Sequence, residues 1–137
     1  PGALLSRLQI VKGWLDREGR THERVFDVAG DAKSGADVDL ASCEPRGPGA
    51  DALCAVWADP EFDPAERAVW YARVIENPTC RWTTRVCNAG GVRCDDPSQL
   101  EEGFGPCCDA QVPKTVQERS WTSPIWYSPV GGGRGAP

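Results

Sequence analysis

The chain has 137 residues, with 15 basic against 20 acidic side chains, a net charge of −5 and a sequence pI near 4.9. Such a balance repels phosphate backbones and excludes an electrostatic footprint for nucleic acid, and no apolar run approaches the roughly 20 residues of a membrane span. Apolar residues make up 40%, enough for a core. Gly and Pro together are about a fifth of the chain, against a usual share of about 12%, which predicts many turns and short elements.

Leu5 to Leu15 alternates imperfectly and reads as a strand. Asp16-Arg17-Glu18-Gly19 supplies a turn with a glycine suited to positive φ, and Arg20 to Ala29 returns, so 5–29 is a predicted hairpin. A polar loop follows over Gly30 to Gly35, then a short strand around Val38 and Leu40. Leu53 to Ala58 is a compact apolar run and is predicted as a central strand ending at Asp59-Pro60. Asp63-Pro64-Ala65-Glu66 carries three helix-start signals in register, namely Asp at N-cap, Pro at the first helical position and Glu at N3. The strongest strand signal is Val69 to Ile75, rich in aromatic and β-branched residues, and Asn77-Pro78 ends it. Residues 79–114 form a Cys-rich loop region with a short strand expected at Trp82 to Val86. Glu118 to Tyr127 is a closing strand interrupted by Pro124, which favours an edge or a kink. Short strands joined by hairpins with little helix predict an all-β fold, an antiparallel β-sandwich of immunoglobulin-like type with one short helix and a disulfide-stapled loop region. The expected organisation is one domain over 1–128 and a flexible Gly-rich tail over 129–137.

Seven cysteines stand at Cys43, Cys54, Cys80, Cys87, Cys94, Cys107 and Cys108. No C-x₂-C pair exists, so the spacing disfavours structural zinc and favours disulfides in an exported compartment, periplasmic or secreted. Cys43 and Cys54 flank a turn-rich segment and are expected to pair. Adjacent Cys107 and Cys108 cannot easily bond to each other, because neighbouring Cα atoms fall short of disulfide geometry. They are expected to take different partners among Cys80, Cys87 and Cys94. One thiol remains unpaired and is read as a buried or non-native spare rather than a nucleophile.

Side chains suited to chemistry are sparse. His22 is the single histidine, and a lone imidazole makes triad or acid–base chemistry weak; a surface place on the hairpin is the simpler reading. Asp59, Glu61, Asp63 and Glu66 form the densest acidic cluster, a candidate for a glycosidase pair or calcium, although capping already explains Asp63 and Glu66. Asp31, Asp37 and Asp39 could hold a weak calcium ion, but the EF-hand pattern is not met. Of the six tryptophans, Trp57 and Trp70 are expected in the core. Trp126 and Tyr127, with Trp121, His22 and Glu23, are the expected interface residues. No catalytic, cofactor-binding or metal-ligating residue is assigned to the chain.

Several stretches, among them Leu8 to Trp14, Thr21-His22-Glu23, Trp70 to Val74 with Glu76-Asn77-Pro78, and Gln117 to Tyr127, carry a family likeness. They resemble the C-terminal part of a bacterial exported family known as domain of unknown function 3604, related to the PHP-type metallo-phosphoesterases. The closing Trp121-Thr122-Ser123-Pro124-Ile125-Trp126 is the most specific part of that resemblance. It implies an upstream PHP-like barrel, in the same polypeptide, with His and Asp ligands for a divalent metal. Pro1 is not a natural translation start, so an excised piece or processed product is expected. None of the ligand motifs occurs in this chain. The expectation is therefore a non-catalytic accessory domain that packs against and shapes the catalytic domain, with the intact parent a metal-dependent hydrolase. The alternative is a free-standing carbohydrate- or protein-binding module using exposed tryptophans.

Overall fold

The computed structural model describes residues 2–96 and 100–129. Its elements in chain order are β1 (Leu5–Leu15), β2 (Thr21–Gly30), β3 (Asp37–Val38), β4 (Pro45–Arg46), β5 (Arg67–Glu76), β6 (Thr79–Cys80), α1 (Trp82–Ala89), α2 (Gly105–Cys108), β7 (Thr115–Val116), β8 (Arg119–Trp121) and β9 (Ile125–Tyr127). The chain is mostly β with antiparallel sheets, as expected from its composition and strand signals. One sheet runs β2-β1-β5-β8 with β9 also on β5, and two small ribbons pair β3 with β4 and β6 with β7.

The hairpin forms where predicted. Gly19 takes φ +79°, and Asp16 Oδ1 accepts hydrogen bonds from the backbone N–H groups of Glu18 and Arg20, closing the turn. β5 then lies against the free side of β1, with Val11 opposite Tyr71 and Lys12 opposite Trp70. The closing strand is split, as Pro124 implies. β8 pairs with Arg73–Ile75, β9 pairs with Ala68–Trp70, and between them Thr122 keeps contact with Ala72. The Thr122 N–H donates to the Ala72 carbonyl at 3.1 Å, while the Ala72 N–H donates to Thr122 Oγ1 at 3.0 Å. A side chain thus replaces a ladder carbonyl at the break.

Three expectations fail for identifiable reasons. Residues 53–58 form no strand: Ala50 is bridged to Leu5 at the lower end of the sheet, and both edges of β1 are already taken by β2 and β5. The segment instead crosses the sheet as an irregular strap with Val56 fully exposed. The helix start at Asp63 yields a single turn. Asp63 does accept from the Ala65 N–H, but β5 begins at Arg67 and leaves no room for a second turn. Trp82 to Val86 is helical rather than extended. Thr84 is buried and donates to the Lys114 carbonyl, and Asn88 donates to the carbonyls of Leu40 and Ala41. Those contacts need Thr84, Cys87 and Asn88 on one face, which only helical spacing provides, and tertiary fixing outweighs the β preference of Trp and Thr.

The cysteine map is partly as expected. Cys107 bonds Cys87 and Cys108 bonds Cys94, so the adjacent pair does take different partners. Cys43 bonds Cys80, not Cys54. Asp39 explains the switch: its Oδ1 accepts from the N–H groups of Ala41 and Ser42, at 2.8 Å each, and wraps a tight turn. That turn puts Cys43 at φ +59°, buried with Val38 and Cys80 in a small second core. The backbone N–H groups of Ser42 and Ala41 hold the Asp39 carboxyl below its usual range, and the Arg46 guanidinium adds to them. Cys54, carried away on the strap, is free and exposed rather than buried. The Gly-rich tail over 130–137 lies outside the described residues.

Native-state alkylation with a maleimide is expected to modify one thiol, at Cys54, with the other six protected until reduction; peptide mapping by mass spectrometry checks this. Cys43→Ser with Cys80→Ser is expected to lower unfolding free energy by about 2–4 kcal/mol in a urea titration.

Candidate functional site

Residues opposite one another in a ladder share a face, so the register sorts the large sheet into two surfaces. Phe26, Ile10 and Ala72 align on one face, as do Arg24, Lys12 and Trp70, then His22, Trp14, Ala68 and Tyr127. The strap closes this face. Trp57 meets Phe26 with ring centroids 5.1 Å apart, and Phe62 meets Trp70 at 6.1 Å and Tyr127 edge-on at 5.0 Å.

At its centre Lys12, an unremarked residue of an apolar strand, is nine-tenths buried. Its Nζ lies 2.7 Å from Asp59 Oδ2 and donates to the Glu61 carbonyl at 2.6 Å. The ammonium also sits over the rings of Trp14 and Trp70, 5.0 and 5.9 Å from their centroids. Trp70 Nε1–H donates to the same Asp59 oxygen at 3.1 Å. Burial alone pushes the Asp59 carboxyl up, yet the Lys12 ammonium, the Glu61 N–H and the Trp70 indole together hold it below its ordinary range. The side chains of Lys12 and Asp59 keep only 3% and 8% of their exposure, so this is a structural ion pair.

The other carboxylates are spoken for in the same local way. Glu61 pairs with Arg24, and Asp63 lies 3.7 Å from Arg17 while capping its turn. Asp31 accepts from the Lys33 N–H, Asp37 from the Val38 N–H, and Asp39 holds the Cys43 turn. Neither acidic cluster converges on a point. Among the described residues no three His, Cys, Asp or Glu side chains come together as metal ligands.

His22 is a hairpin residue with a structural task. Its Nε2 is 2.8 Å from Asp16 Oδ2, and its ring stacks on Trp14 at 5.1 Å with a 19° tilt. The imidazole hydrogen bond, assisted by the N–H and guanidinium of Arg20, holds the Asp16 carboxyl well below the usual range despite its partial burial. Tyr127 is likewise engaged, donating from its hydroxyl to the Pro64 carbonyl at 3.0 Å.

The remaining interface residues lie on the second face. There Asp27, Gln9, Arg73 and Trp121 form one row, Val25, Val11 and Tyr71 the next, and Glu23, Gly13, Val69 and Trp126 a third. Gln9 donates to Asp27 at 2.7 Å and accepts from Arg73 Nε at 2.8 Å, making a cross-strand polar ladder. Trp121 and Trp126 are 60% and 75% exposed, and Val25 and Glu23 are exposed beside them. Where Gly13 lacks a side chain the face dips into a groove of about 570 Å³, lined among others by Leu15, Arg67, Val69 and Trp126. A Cβ on Gly13 would stand 3.2 Å from Val69 Cγ1. Of the expected interface set, the structure therefore gathers Glu23, Trp121 and Trp126 on one open surface, while His22 and Tyr127, which also border the groove, are engaged by Asp16 and the Pro64 carbonyl. Lys12 and Gly13 were missed; a lysine and a glycine adjacent inside an apolar alternation are the signals that mark them.

A family model described as "Protein of unknown function (DUF3604)" matches residues 1–129. The chain belongs to this family. The match spans both faces of the DUF3604 sheet as well as the disulfide region. No curated protein and no solved structure matches the chain. The three disulfides of this DUF3604 chain are consistent with a compartment outside the reducing cytoplasm, and no helix among the described residues is long and apolar enough to cross a membrane.

Removing Lys12 by Lys12→Ala leaves a buried carboxylate unpaired and is expected to cost about 3–5 kcal/mol, whereas Lys12→Met with Asp59→Leu stays close to the native stability; urea unfolding of both separates them. Because the folded carboxyl of Asp59 is depressed, its contribution is complete above roughly pH 5. It declines as the unfolded chain takes up its proton near the usual value of about 3.9, and it is lost as pH falls through the folded value. Asp59→Asn is expected to flatten this acid limb in unfolding titrations run from pH 7 downward.

Proposed function

We propose that this chain is a non-catalytic accessory domain of an exported, periplasmic or secreted, PHP-like phosphoesterase. It docks its open sheet face on the catalytic domain of the same polypeptide, C-terminal to that domain, and shapes access to the reaction centre. The observation that carries this reading is the pair Trp121 and Trp126 standing exposed on one face. Their register partners, Arg73 and Val69, are four residues apart on β5, which places the two indoles roughly 13 Å apart at strand rise. Exposed tryptophans beside Val25, itself 40% exposed, are what an interface core uses as anchors.

The chemistry of the donors supports the same reading. Every carboxylate named above as a candidate ligand except Glu66 is turned to a cation or a backbone N–H, so these residues do not fit a catalytic divalent ion. The metal of such a parent belongs upstream. A sugar-binding strip finds less support: Trp14, Trp57 and Trp70 lie on the closed face, and Trp82 is exposed on α1. Only Trp121 and Trp126 share the open face among the described residues.

The test is a side-by-side assay of the intact parent and this chain on a panel of phosphate esters with divalent metals. Turnover is expected from the parent alone, and turnover by the isolated chain sinks the reading. In the parent, Trp121→Ala is expected to weaken interdomain cohesion by about 2 kcal/mol or more, seen as earlier separation of the two unfolding transitions in calorimetry.

A further inference from the structure

The groove at Gly13 has a composition that docking alone does not require. Gly13, Leu15, Arg67, Val69 and Trp126 line it, and His22 and Tyr127 border it as well. Register places Leu15 opposite both Thr21 and Arg67 and places Gly13 opposite Val69, so these groups belong to adjoining rows of the open face. Arg67 makes no ion pair or side-chain hydrogen bond among the described residues, unlike Arg7, Arg17, Arg20, Arg24, Arg46 and Arg93. At about 570 Å³ the groove is within the size range of small-molecule sites, which are mostly apolar with a few placed polar groups.

We infer that this groove binds a small planar apolar ligand carrying one anionic group, the ring lying over Gly13 against Trp126 and the anion on Arg67. The glycine matters because a flat ring can approach backbone only where no Cβ intervenes. The tryptophan matters because its indole face offers offset stacking worth about 0.5–1.5 kcal/mol beyond burial. The guanidinium matters because its fork of donors takes a carboxylate or phosphate in a bidentate way. The ligand binds with its anion toward β5, where Arg67 stands. Ligand and docked domain would compete for the Trp126 indole, so this role is read in the isolated chain.

The probe is 2-naphthoate, compared with uncharged 2-naphthamide, titrated into the ¹⁵N-labelled chain and followed at the Gly13 amide and the Trp126 indole N–H. Saturable shifts with a Kd of about 1 mM or tighter are expected for the naphthoate, and binding at least about tenfold weaker for the amide. Arg67→Gln is expected to weaken naphthoate binding about tenfold and to erase its advantage over the amide. Gly13→Val fills the groove and abolishes binding; should that variant not fold, Arg67→Gln decides alone. Trp121→Ala, which the docking reading needs, leaves the titration unchanged, so the two readings fail separately. Absence of saturable shifts up to about 10 mM, equal affinity for acid and amide, or indifference to Arg67→Gln each overturns the inference.

Discussion

The salt link between Lys12 and Asp59 determines which side of the sheet the strap covers. A lysine in the central strand has to bring its charge out of water with company, because an isolated buried ammonium is untenable. The strap supplies that company in one stroke: a carboxylate from Asp59, a carbonyl from Glu61 and the electron-rich faces of two indoles. Once Asp59 is held there, Trp57 and Phe62 on either side of it are delivered onto Phe26 and Trp70. An irregular segment thereby acts as a second layer. The opposite face receives no such cover from the strap and carries the exposed indoles.

The disulfide region obeys a different logic. Its elements are too short to bury much apolar surface, with β3, β4, β6 and β7 each two residues long. Covalent links and side-chain-to-carbonyl hydrogen bonds take over from packing. Cys43–Cys80 ties the first ribbon to the second, while Cys87–Cys107 and Cys94–Cys108 tie α1 and the loop after it to α2. Lys114 reinforces the last of these by donating to the carbonyls of Pro106, Cys107 and Asp109. The chain thus joins a sheet stabilised by burial to an annex stabilised by cross-links.

Local chemistry was readable from residues wherever a feature is decided within a few positions. The 5–29 hairpin follows from its turn, β5 from its aromatic and branched run, and the split closing strand from Pro124. The division of Cys107 and Cys108 between partners follows from backbone spacing. Features decided across the fold were not readable. The strap looks like a central strand until both neighbours of β1 are known, and 82–89 looks extended until Asn88 and Thr84 find their distant carbonyls. Lys12 and Asp59 are separated by most of the β1–β5 connection, so their meeting has no local signature. The interface set divided along the same line, because alternation along a strand tells that His22 and Glu23 part company but not which face stays open.

The split of the closing strand has a consequence for assembly. Ladder bonds along the β8/β9 side are interrupted at Thr122, whose hydroxyl satisfies the Ala72 N–H, and Pro124 withholds a donor of its own. A foreign strand arriving there meets two three-residue stubs instead of a continuous template. At the other margin β2 is long, but it is studded with Glu23, Arg24 and Asp27, which resist uninvited pairing by charge. Both borders of the sheet are thereby defended, one by interruption and one by electrostatics, which leaves lateral fibre growth without a starting point.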